Sequence, residues 1–265
     1  MNEKQKERLL QIIDESNNIV FFGGAGVSTA SGIPDFRSKN GLYNQHDVQF
    51  EKYSPEYLLS SSCLYDNPKV FFEFYRQKLD IRGIEPNIAH TTLAKLEEIG
   101  KLKAVITQNI DGLHQLAGSK KVYEIHGTTQ RNYCLECGKE YPADYIFECD
   151  EYIPRCDCFM HGMIRPDVIL YEESLPVDAV SDSFSAICKA DTLIVAGTSL
   201  NVYPAASYIE YFAGKYLIVL NMERPDRIPY IEKFMKERYG TDTLFIQGDM
   251  SEAFVAILRH ISEVK

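Results

Sequence analysis

Short, almost continuous apolar segments recur along the chain, and longer segments with helical periodicity separate them. Apolar runs of this kind are typical of strands inside a parallel sheet, because both faces of such a strand are buried. The predicted strands are Asn18–Phe22, Lys103–Thr107, Lys121–Ile125, Asp167–Tyr171, Thr192–Ala196, Tyr216–Asn221 and Leu244–Gln247.

The segments between these strands repeat apolar residues every three to four positions, as amphipathic helices do. The predicted helices are Glu3–Glu15, Pro68–Leu79, Ala89–Ile99, Val177–Lys189, Pro204–Ala213, Ile231–Tyr239 and Ser251–Ile261. Strands that alternate with helices indicate an α/β fold. We expect a doubly wound, Rossmann-like parallel sheet with helices on both faces.

Two segments break this alternation and predict a second, smaller domain. Residues 38–87 are polar, aromatic and helical, and residues 128–165 contain five of the seven cysteines. We expect these two insertions to form the helical part and the metal-binding part of the smaller domain. The Rossmann-like domain would then consist of residues 1–37, 88–127 and 166–265.

Composition and charge narrow the classes of function. Hydrophobic residues make up 45% of the chain, which is enough for a substantial core. A net charge of -10 argues against nucleic-acid binding, which needs clustered Lys and Arg. The acidic surface would favour basic protein segments, or it merely keeps the protein in solution. No signal-peptide core or run of about eighteen apolar residues occurs, so we expect a cytoplasmic protein without membrane attachment.

The spacing of the cysteines predicts a metal site, because paired cysteines in a reducing compartment bind metal more often than they form disulfides. Four thiolates would bind one tetrahedral, structural zinc ion. Cys149 or His161 could replace one of the later ligands, while Cys63 and Cys188 are expected to be buried apolar residues. The predicted ligands are Cys134, Cys137, Cys156 and Cys158.

A glycine-rich loop follows the first predicted strand. Glycines at positions 24 and 26 would let backbone amides approach a pyrophosphate, and a helix beginning near Ser28 would add its positive end. The dinucleotide fingerprint of dehydrogenases has a third glycine where Thr29 stands, which disfavours a hydride-transferring enzyme. The loop by itself leaves both nucleotide binding and tight packing open.

Polar residues follow two further predicted strands. Gln108, Asn109 and Asp111 could hold ribose hydroxyls and a carboxamide, or the last two could cap the next helix. His126 follows the third predicted strand, and histidine suits proton transfer near neutral pH, although a lone histidine is more often structural. His114 is expected to be structural.

These motifs, in this order, resemble the sirtuins, which are NAD-dependent protein-lysine deacylases. The resemblance rests on Gly23–Arg37, Thr107–His114, Ile125–Gly127 and the cysteines, and it extends from about Ile19 to Asp249. It implies His126, Asn109 and Asp111 as catalytic residues. The NAD contacts that it implies are Gly24, Ala25, Gly26, Ser28, Thr29, Asp35, Phe36, Arg37, Gln108, Asn109, Ile110, Asp111, His126, Gly197, Thr198, Ser199, Asn221 and Asp249.

The resemblance also implies a reaction that consumes NAD. The acyl oxygen of a modified lysine in a protein or peptide attacks the ribose carbon as nicotinamide leaves. Ile110 and Asp111 hold the carboxamide, and Asn109 holds the ribose. His126 deprotonates a ribose hydroxyl, the resulting alkoxide attacks the acyl carbon, and hydrolysis by water then releases free lysine and O-acyl-ADP-ribose. Phe36 shields the sugar carbon from returning nicotinamide.

Two differences from sirtuin patterns concern the substrate, and a third is the spacer Phe159–His161 in the cysteine region, which is longer than the usual Gly-Gly. Within Arg165–Pro176, which resembles the segment that pairs with the substrate peptide, Glu172 stands where the family usually has glycine. Sirtuins that prefer acidic acyl groups carry Tyr-x-x-Arg where this chain has Tyr75 and Lys78. Lysine lacks the forked guanidinium that suits a carboxylate, so we expect ordinary deacetylation. Alternatively, this helix only packs, with Lys78 in solvent.

Other functions remain open from the sequence. A mono-ADP-ribosyltransferase would use the same cofactor chemistry but transfer ribose to a protein side chain, a step that does not require His126 in the same way. A deacylase with a preference for longer or acidic acyl groups is a second alternative. A zinc-containing module that binds acyl-lysine without catalysis is a third, and the complete set of catalytic residues argues against it.

Overall fold

Two sheets organise the protein, whose computed structural model describes residues 1–36, 38, 41–44, 49–201 and 204–263. The strands, in chain order, are β1 (Ile19–Gly23), β2 (Leu102–Thr107), β3 (Val122–Glu124), β4 (Gly127–Cys134), β5 (Glu140–Pro142), β6 (Ile164–Val168), β7 (Thr192–Ala196), β8 (Tyr216–Asn221) and β9 (Asp242–Gln247).

Among the described residues, helices lie before or after most of the strands. The first begins at a capping box in which Asn2 and Gln5 exchange side-chain to backbone hydrogen bonds. No described helix is both long enough and apolar enough to cross a membrane. The helices are α1 (Glu3–Glu15), α2 (Pro55–Leu58), α3 (Ser61–Asp66), α4 (Pro68–Lys78), α5 (Ile88–Glu98), α6 (Leu113–Leu116), α7 (Asp144–Glu148), α8 (Val177–Lys189), α9 (Ile228–Tyr239) and α10 (Met250–Glu263).

The larger sheet is parallel, and its six described strands have the order β3-β2-β1-β7-β8-β9. Every residue of β1 and β7, at the centre, is buried. This arrangement confirms the predicted α/β fold. Because all six strands run in one direction, the loops that follow them meet at one edge of the sheet.

Helices cover both faces of the larger sheet. On one face, α5 and α10 contribute Leu93 and Phe254, and the Phe254 ring lies edge-on to Phe21 of β1 at a centroid distance of 6.3 Å. On the other face, α8 and α9 contribute Ile187 and Ile231. Burial of apolar area on both sides is the main stabilising contribution, and it leaves the strand ends available for a site.

The smaller sheet is antiparallel, with β4 between β5 and β6. Phe71, Tyr75 and Ile164 are completely buried in a separate hydrophobic core. That core joins side chains from 42–79 with side chains from 134–170, so the two insertions pack together. The domain boundaries given above stay a prediction.

Two segments differ from the predicted elements. The strand predicted at Asp167–Tyr171 is not part of the larger sheet, because β6 lies antiparallel to β4 with Arg165 opposite Tyr133. An apolar run does not specify its pairing partner, which depends on tertiary contacts. The helix predicted at Pro204–Ala213 is a 3-10 helix over Ala205–Tyr211, a form typical of short segments.

The helix predicted to begin near Ser28 is also wrong. After β1, Ala25–Val27 and Thr29–Ser31 form two short 3-10 helices, and Gly32 ends the second with a φ of 94°. So few aligned peptide units carry little of the dipole that was expected there.

Cys63 is buried as expected, but the prediction for Cys188 is wrong because this residue is exposed. α8 is amphipathic, and the adjacent Ile187 occupies the position that faces the core. Neighbouring positions of a helix point about 100° apart, so Cys188 faces away from the core.

We predict that Phe254→Ala lowers the free energy of unfolding by about 3–5 kcal/mol, because it leaves a cavity between α10 and β1. Urea denaturation followed by circular dichroism measures this loss. Leu116→Ala is the control, since Leu116 is 62% exposed and should change the value by less than about 0.5 kcal/mol. Equal losses for the two variants would contradict the packing described here.

Candidate active site and cysteine cluster

A cavity of about 1310 Å³ opens at the carboxyl edge of the larger sheet and extends to the smaller one. The loops that follow β1, β2, β3, β7, β8 and β9 all contribute to its lining. Ligands of open parallel sheets bind at this edge, where backbone and side-chain polar groups converge.

Most of the residues predicted to contact NAD line this cavity. Gly24, Ser28 and Asp111 do not line it, and Arg37 lies outside the described residues. The predicted residues that line it are Ala25, Gly26, Thr29, Asp35, Phe36, Gln108, Asn109, Ile110, His126, Gly197, Thr198, Ser199, Asn221 and Asp249.

The glycines of the first loop have a different role from the one expected. A Cβ on Gly24 would lie 2.8 Å from the Cβ of Thr198, and one on Gly26 would lie 2.8 Å from the Cα of Gly197. Their amides donate to the carbonyl oxygens of Ala196 and Gly197 at 3.1 and 2.8 Å. These glycines therefore let the loops after β1 and β7 approach each other, and their amides are not directed at a ligand.

A buried polar network supports the floor of the cavity. Ser28 Oγ donates to Asp111 Oδ2 at 2.6 Å, and Asn109 Nδ2 donates to Ser28 Oγ at 3.0 Å. Asp111 Oδ1 also accepts from the amide of Leu113, at the first residue of α6. Asp111 therefore supports the start of α6 and fixes Ser28, which agrees with the capping interpretation of this residue.

Gln108 presents a buried donor next to the cavity. Its Oε1 accepts from Thr198 Oγ1 at 3.1 Å, which fixes the orientation of the amide. Its Nε2 is buried and has no hydrogen-bond partner among the described residues. Since an unpaired buried donor costs free energy, an acceptor on a ligand would compensate for it.

His126 follows β3 and lines the same cavity. Its Nδ1 lies 2.9 Å from the carbonyl oxygen of Gln108, which can only accept, so we assign the ring proton to Nδ1. The neutral ring then has its basic nitrogen at Nε2, the arrangement that a proton acceptor needs.

His90 and His114 form a buried pair behind the network. Their ring centroids are 4.7 Å apart, and His90 Nδ1 accepts from the amide of Asn87. Burial lowers the pKa of His90 to about 4 and that of His114 to about 3. Both rings are therefore neutral at physiological pH, and their place behind the lining fits the structural role expected for His114.

Asn87 is a positioning residue that sequence reasoning missed. Its side chain donates to the carbonyl oxygen of Val27 at 2.8 Å and to Ser31 Oγ at 3.0 Å, which ties α5 to the loop after β1. The only signal in the sequence is an asparagine before a predicted helix, which indicates a cap and not a contact with a distant loop.

Residues 168–175 form one side of the cavity, which we call the cleft wall. A bidentate ion pair supports it, since Arg165 donates to both carboxylate oxygens of Glu173 at 2.5 and 3.0 Å. Glu173 also accepts from the amide of Leu170, and Arg165 is only 4% exposed. Such a pair fixes geometry, because the planar guanidinium matches both oxygens.

An aromatic contact joins the cleft wall to the segment after β1. The hydroxyls of Tyr43 and Tyr171 are 2.9 Å apart, and the Tyr43 ring lies edge-on to Phe36 at 5.4 Å. Phe36 lines the cavity. The two sides of the cavity are therefore in contact through Tyr43.

Tyr75 is completely buried between the stacked rings of Phe71 and Phe147, at centroid distances of 5.9 and 5.5 Å. It does not line the cavity. The structure thus agrees with the packed interpretation of this tyrosine.

The four cysteines predicted as ligands converge, with their Sγ atoms within 4.8 Å of one another. The Sγ atoms of Cys134 and Cys158 are 3.9 Å apart, and those of Cys137 and Cys156 are 3.7 Å apart. A tetrahedral ion with zinc–sulfur bonds of about 2.3 Å separates its sulfurs by about 3.8 Å. The cluster therefore fits such an ion, and neither Cys149 nor His161 belongs to it.

The chain is similar to known proteins both in sequence and in fold. The model of the Sir2 family matches residues 24–204. An NAD-dependent protein deacetylase of Clostridium acetobutylicum is 56% identical over 214 residues, 80% of this chain and 86% of that protein. A solved structure described as Sir2 with a p53 peptide and NAD+ has a TM-score of 0.80 at 34% identity, over 99% of both chains. One described as Sir2 bound to acetylated peptide has a TM-score of 0.81 at 33% identity, again over 99% of both chains.

We predict that His90 and His114 make the protein less stable as the pH falls. Their folded pKa values lie below the unfolded value near 6.5, so below that pH the unfolded chain binds protons that the folded one does not. Between pH 7.5 and 5.5 each should cost about 1 kcal/mol of unfolding free energy. Urea denaturation at both pH values measures the loss.

The control is the double variant His90→Gln/His114→Gln, which should lose less stability over the same pH interval than the original chain. An unchanged pH dependence in the double variant would show that other groups cause it.

Proposed function

This chain belongs to the Sir2 family and is an NAD-dependent protein deacetylase, and on that premise we propose that the cavity at the carboxyl edge of the larger sheet is its active site. We further propose His126 as the catalytic base and Asn109 as a second catalytic residue, with Asp111, which does not line the cavity, positioning Asn109 through Ser28. The observation that carries this proposal is the contact between His126 Nδ1 and the carbonyl oxygen of Gln108, which leaves Nε2 as the basic nitrogen.

The lining of the cavity supports NAD as the ligand. Gln108 Nε2 is a buried donor that a ribose oxygen would satisfy, and the side-chain oxygen of Asn109 is a second polar group for the same sugar. We place the adenosine half against Ser199, Asn221 and Asp249, after β7, β8 and β9. NAD supplies a ribose carbon that becomes electrophilic when nicotinamide leaves.

The residues of this chain would do three things in the reaction. Asn109 holds the sugar in place, and the Ser28–Asp111 pair behind it fixes the Asn109 side chain. His126 Nε2 takes up a proton from a hydroxyl that reaches it in the cavity. Phe36 and the cleft wall exclude water, which would otherwise hydrolyse the activated sugar.

We propose that an acyl-lysine peptide lies along the cleft wall and that acetyl-lysine is the preferred substrate. Extended peptides bind to strand-like edges through backbone hydrogen bonds. Tyr75 is buried among aromatic rings and cannot meet an acidic acyl group without repacking. The burial of Tyr75 therefore argues against a preference for acidic acyl groups. No contact among the described residues favours longer acyl groups.

We also propose that the cysteine cluster binds one structural zinc ion. Cys134, Cys137, Cys156 and Cys158 would supply four thiolates, which leaves no coordination position for a substrate. The ion would link β4 to the segment before β6 and stabilise the smaller sheet. A cytoplasmic location, which would keep these thiols reduced, is part of the same proposal.

We predict that His126→Ala lowers kcat/KM for an acetyl-lysine peptide by about 10²- to 10⁴-fold while the fold is preserved, because the ribose hydroxyl loses its proton acceptor. Mass spectrometry of the products measures turnover, with O-acetyl-ADP-ribose as the expected product of the original chain. His260→Ala is the control and should retain full activity.

Retention of full turnover by His126→Ala would exclude this residue as the base. A protein product that has gained ADP-ribose, without O-acetyl-ADP-ribose, would instead identify an ADP-ribosyltransferase.

We predict about one zinc per purified chain, and a lower melting temperature after removal by a chelator. The expected decrease is about 5 °C or more, or roughly 2 kcal/mol for a chain of this length. Cys137→Ser should reduce the zinc content, whereas Cys188→Ser, at an exposed cysteine outside the cluster, should not. Full zinc content in Cys137→Ser would exclude the proposed ligand set.

A further inference from the structure

We propose that Glu172 is a positioning residue that fixes the cleft wall against the first turn of α3 and thereby sets the affinity for the substrate peptide. Its link to peptide affinity rests on the proposed function, whereas its contacts are observed in the structure. Glu172 is exposed, so its role does not come from burial in the core.

The backbone of Glu172 is unusual. Its φ is 74°, and it is one of three described non-glycine residues with a positive φ, together with His161 and Leu200. A side chain in this region crowds the following carbonyl group, so glycine is normally preferred. Such a conformation persists only where the surroundings compensate for its cost.

The compensation comes from two serines of α3. One carboxylate oxygen of Glu172 accepts three hydrogen bonds, from Ser62 Oγ at 2.7 Å, the Ser62 amide at 2.9 Å and Ser61 Oγ at 3.0 Å. These donors hold the pKa of the Glu172 carboxyl below its ordinary value, so the group is ionised at neutral pH.

Backbone hydrogen bonds add to these side-chain contacts, and together they form a junction between residues 59–62 and Tyr171–Glu172. The amide of Tyr171 donates to the carbonyl oxygen of Leu59 at 2.9 Å. The amide of Ser61 donates to the carbonyl oxygen of Tyr171 at 3.1 Å. Ser60 and Tyr171 form an isolated parallel bridge. Glu172 therefore closes a short ladder between residues 59–62 and the cleft wall, and Leu59 itself lines the cavity.

This junction bears on peptide binding because a wall that is ordered in advance loses less conformational entropy when a ligand binds. The carboxylate of Glu172 is already engaged by its serines. It therefore acts through the geometry of the cleft wall. The competing explanation is a direct ionic contact between Glu172 and the peptide, and the experiment must distinguish the two.

The experiment measures steady-state kinetics with an acetyl-lysine peptide and NAD. Glu172→Gly accepts the positive φ but removes the carboxylate, and Ser61→Ala/Ser62→Ala removes the hydroxyl donors and keeps the carboxylate. Each should raise the KM for peptide by about 3- to 10-fold, with kcat and the KM for NAD changed less than about two-fold. Combining the three substitutions should add nothing further, because both sets break one junction.

Glu7→Gln is the control for charge, since it removes one exposed carboxylate from α1, and it should leave the KM for peptide unchanged. An unchanged or lower KM for peptide in Glu172→Gly would overturn the proposal. Multiplicative effects in the combined variant would also do so. A rise in KM that is confined to Glu172 variants and to basic peptides would identify a direct contact instead.

Hydrogen exchange separates this proposal from the proposed function. Without substrate, the amides of Ser61 and Tyr171 should exchange faster in Glu172→Gly than in the original chain, whether or not the chain is active. Unchanged exchange would exclude the junction. Faster exchange in a chain that does not turn over acetyl-lysine would confirm the junction and refute the active-site proposal.

Discussion

The close approach of the loops after β1 and β7 is the constraint on which the rest of the site depends. Gly24 and Gly26 lie so near Gly197 and Thr198 that a single added carbon on either glycine would collide with the neighbouring loop. The approach is possible because β1 and β7 are adjacent parallel strands, so their carboxyl ends emerge side by side. It fixes the position of Ser28, and through Ser28 the positions of Asn109 and Asp111.

The cavity is therefore supported by layers. Gln108, Asn109 and His126 line the cavity, and behind them Ser28, Asp111 and the neutral pair of His90 and His114 hold the lining in place. Burial keeps these two imidazoles uncharged, because a positive charge in the interior would lose its hydration. The edge of the sheet that carries this cavity thus depends on buried polar groups that lie outside its lining.

The second side of the cavity has a different origin. The cleft wall is anchored by the ion pair of Arg165 and Glu173 and by the contact of Glu172 with α3, so its geometry depends on the smaller sheet and its helices. The cysteine cluster lies in the same part of the chain, near β4 and β6. A metal ion there would stabilise the fold that holds the cleft wall, although it would take no part in the chemistry.

Much of this protein was determined by the sequence alone. The alternation of apolar strands with amphipathic helices predicted the parallel sheet, since that periodicity records burial on two faces, and the spacing of four cysteines predicted a cluster that the structure shows. The family, and with it the activity, followed from motifs that are contiguous in the chain. The placement of individual site residues could be predicted only as implied by that resemblance.

Other features were decided by the tertiary structure, because they depend on partners far away in the chain. The antiparallel pairing of β6, the contact of the glycine loops with Gly197 and the reach of Asn87 to Val27 have no local signature. Glu172 shows the difference most clearly. Its identity suggested only an unusual loop, whereas its left-handed backbone and its serine partners became apparent once residues more than a hundred positions apart were brought together.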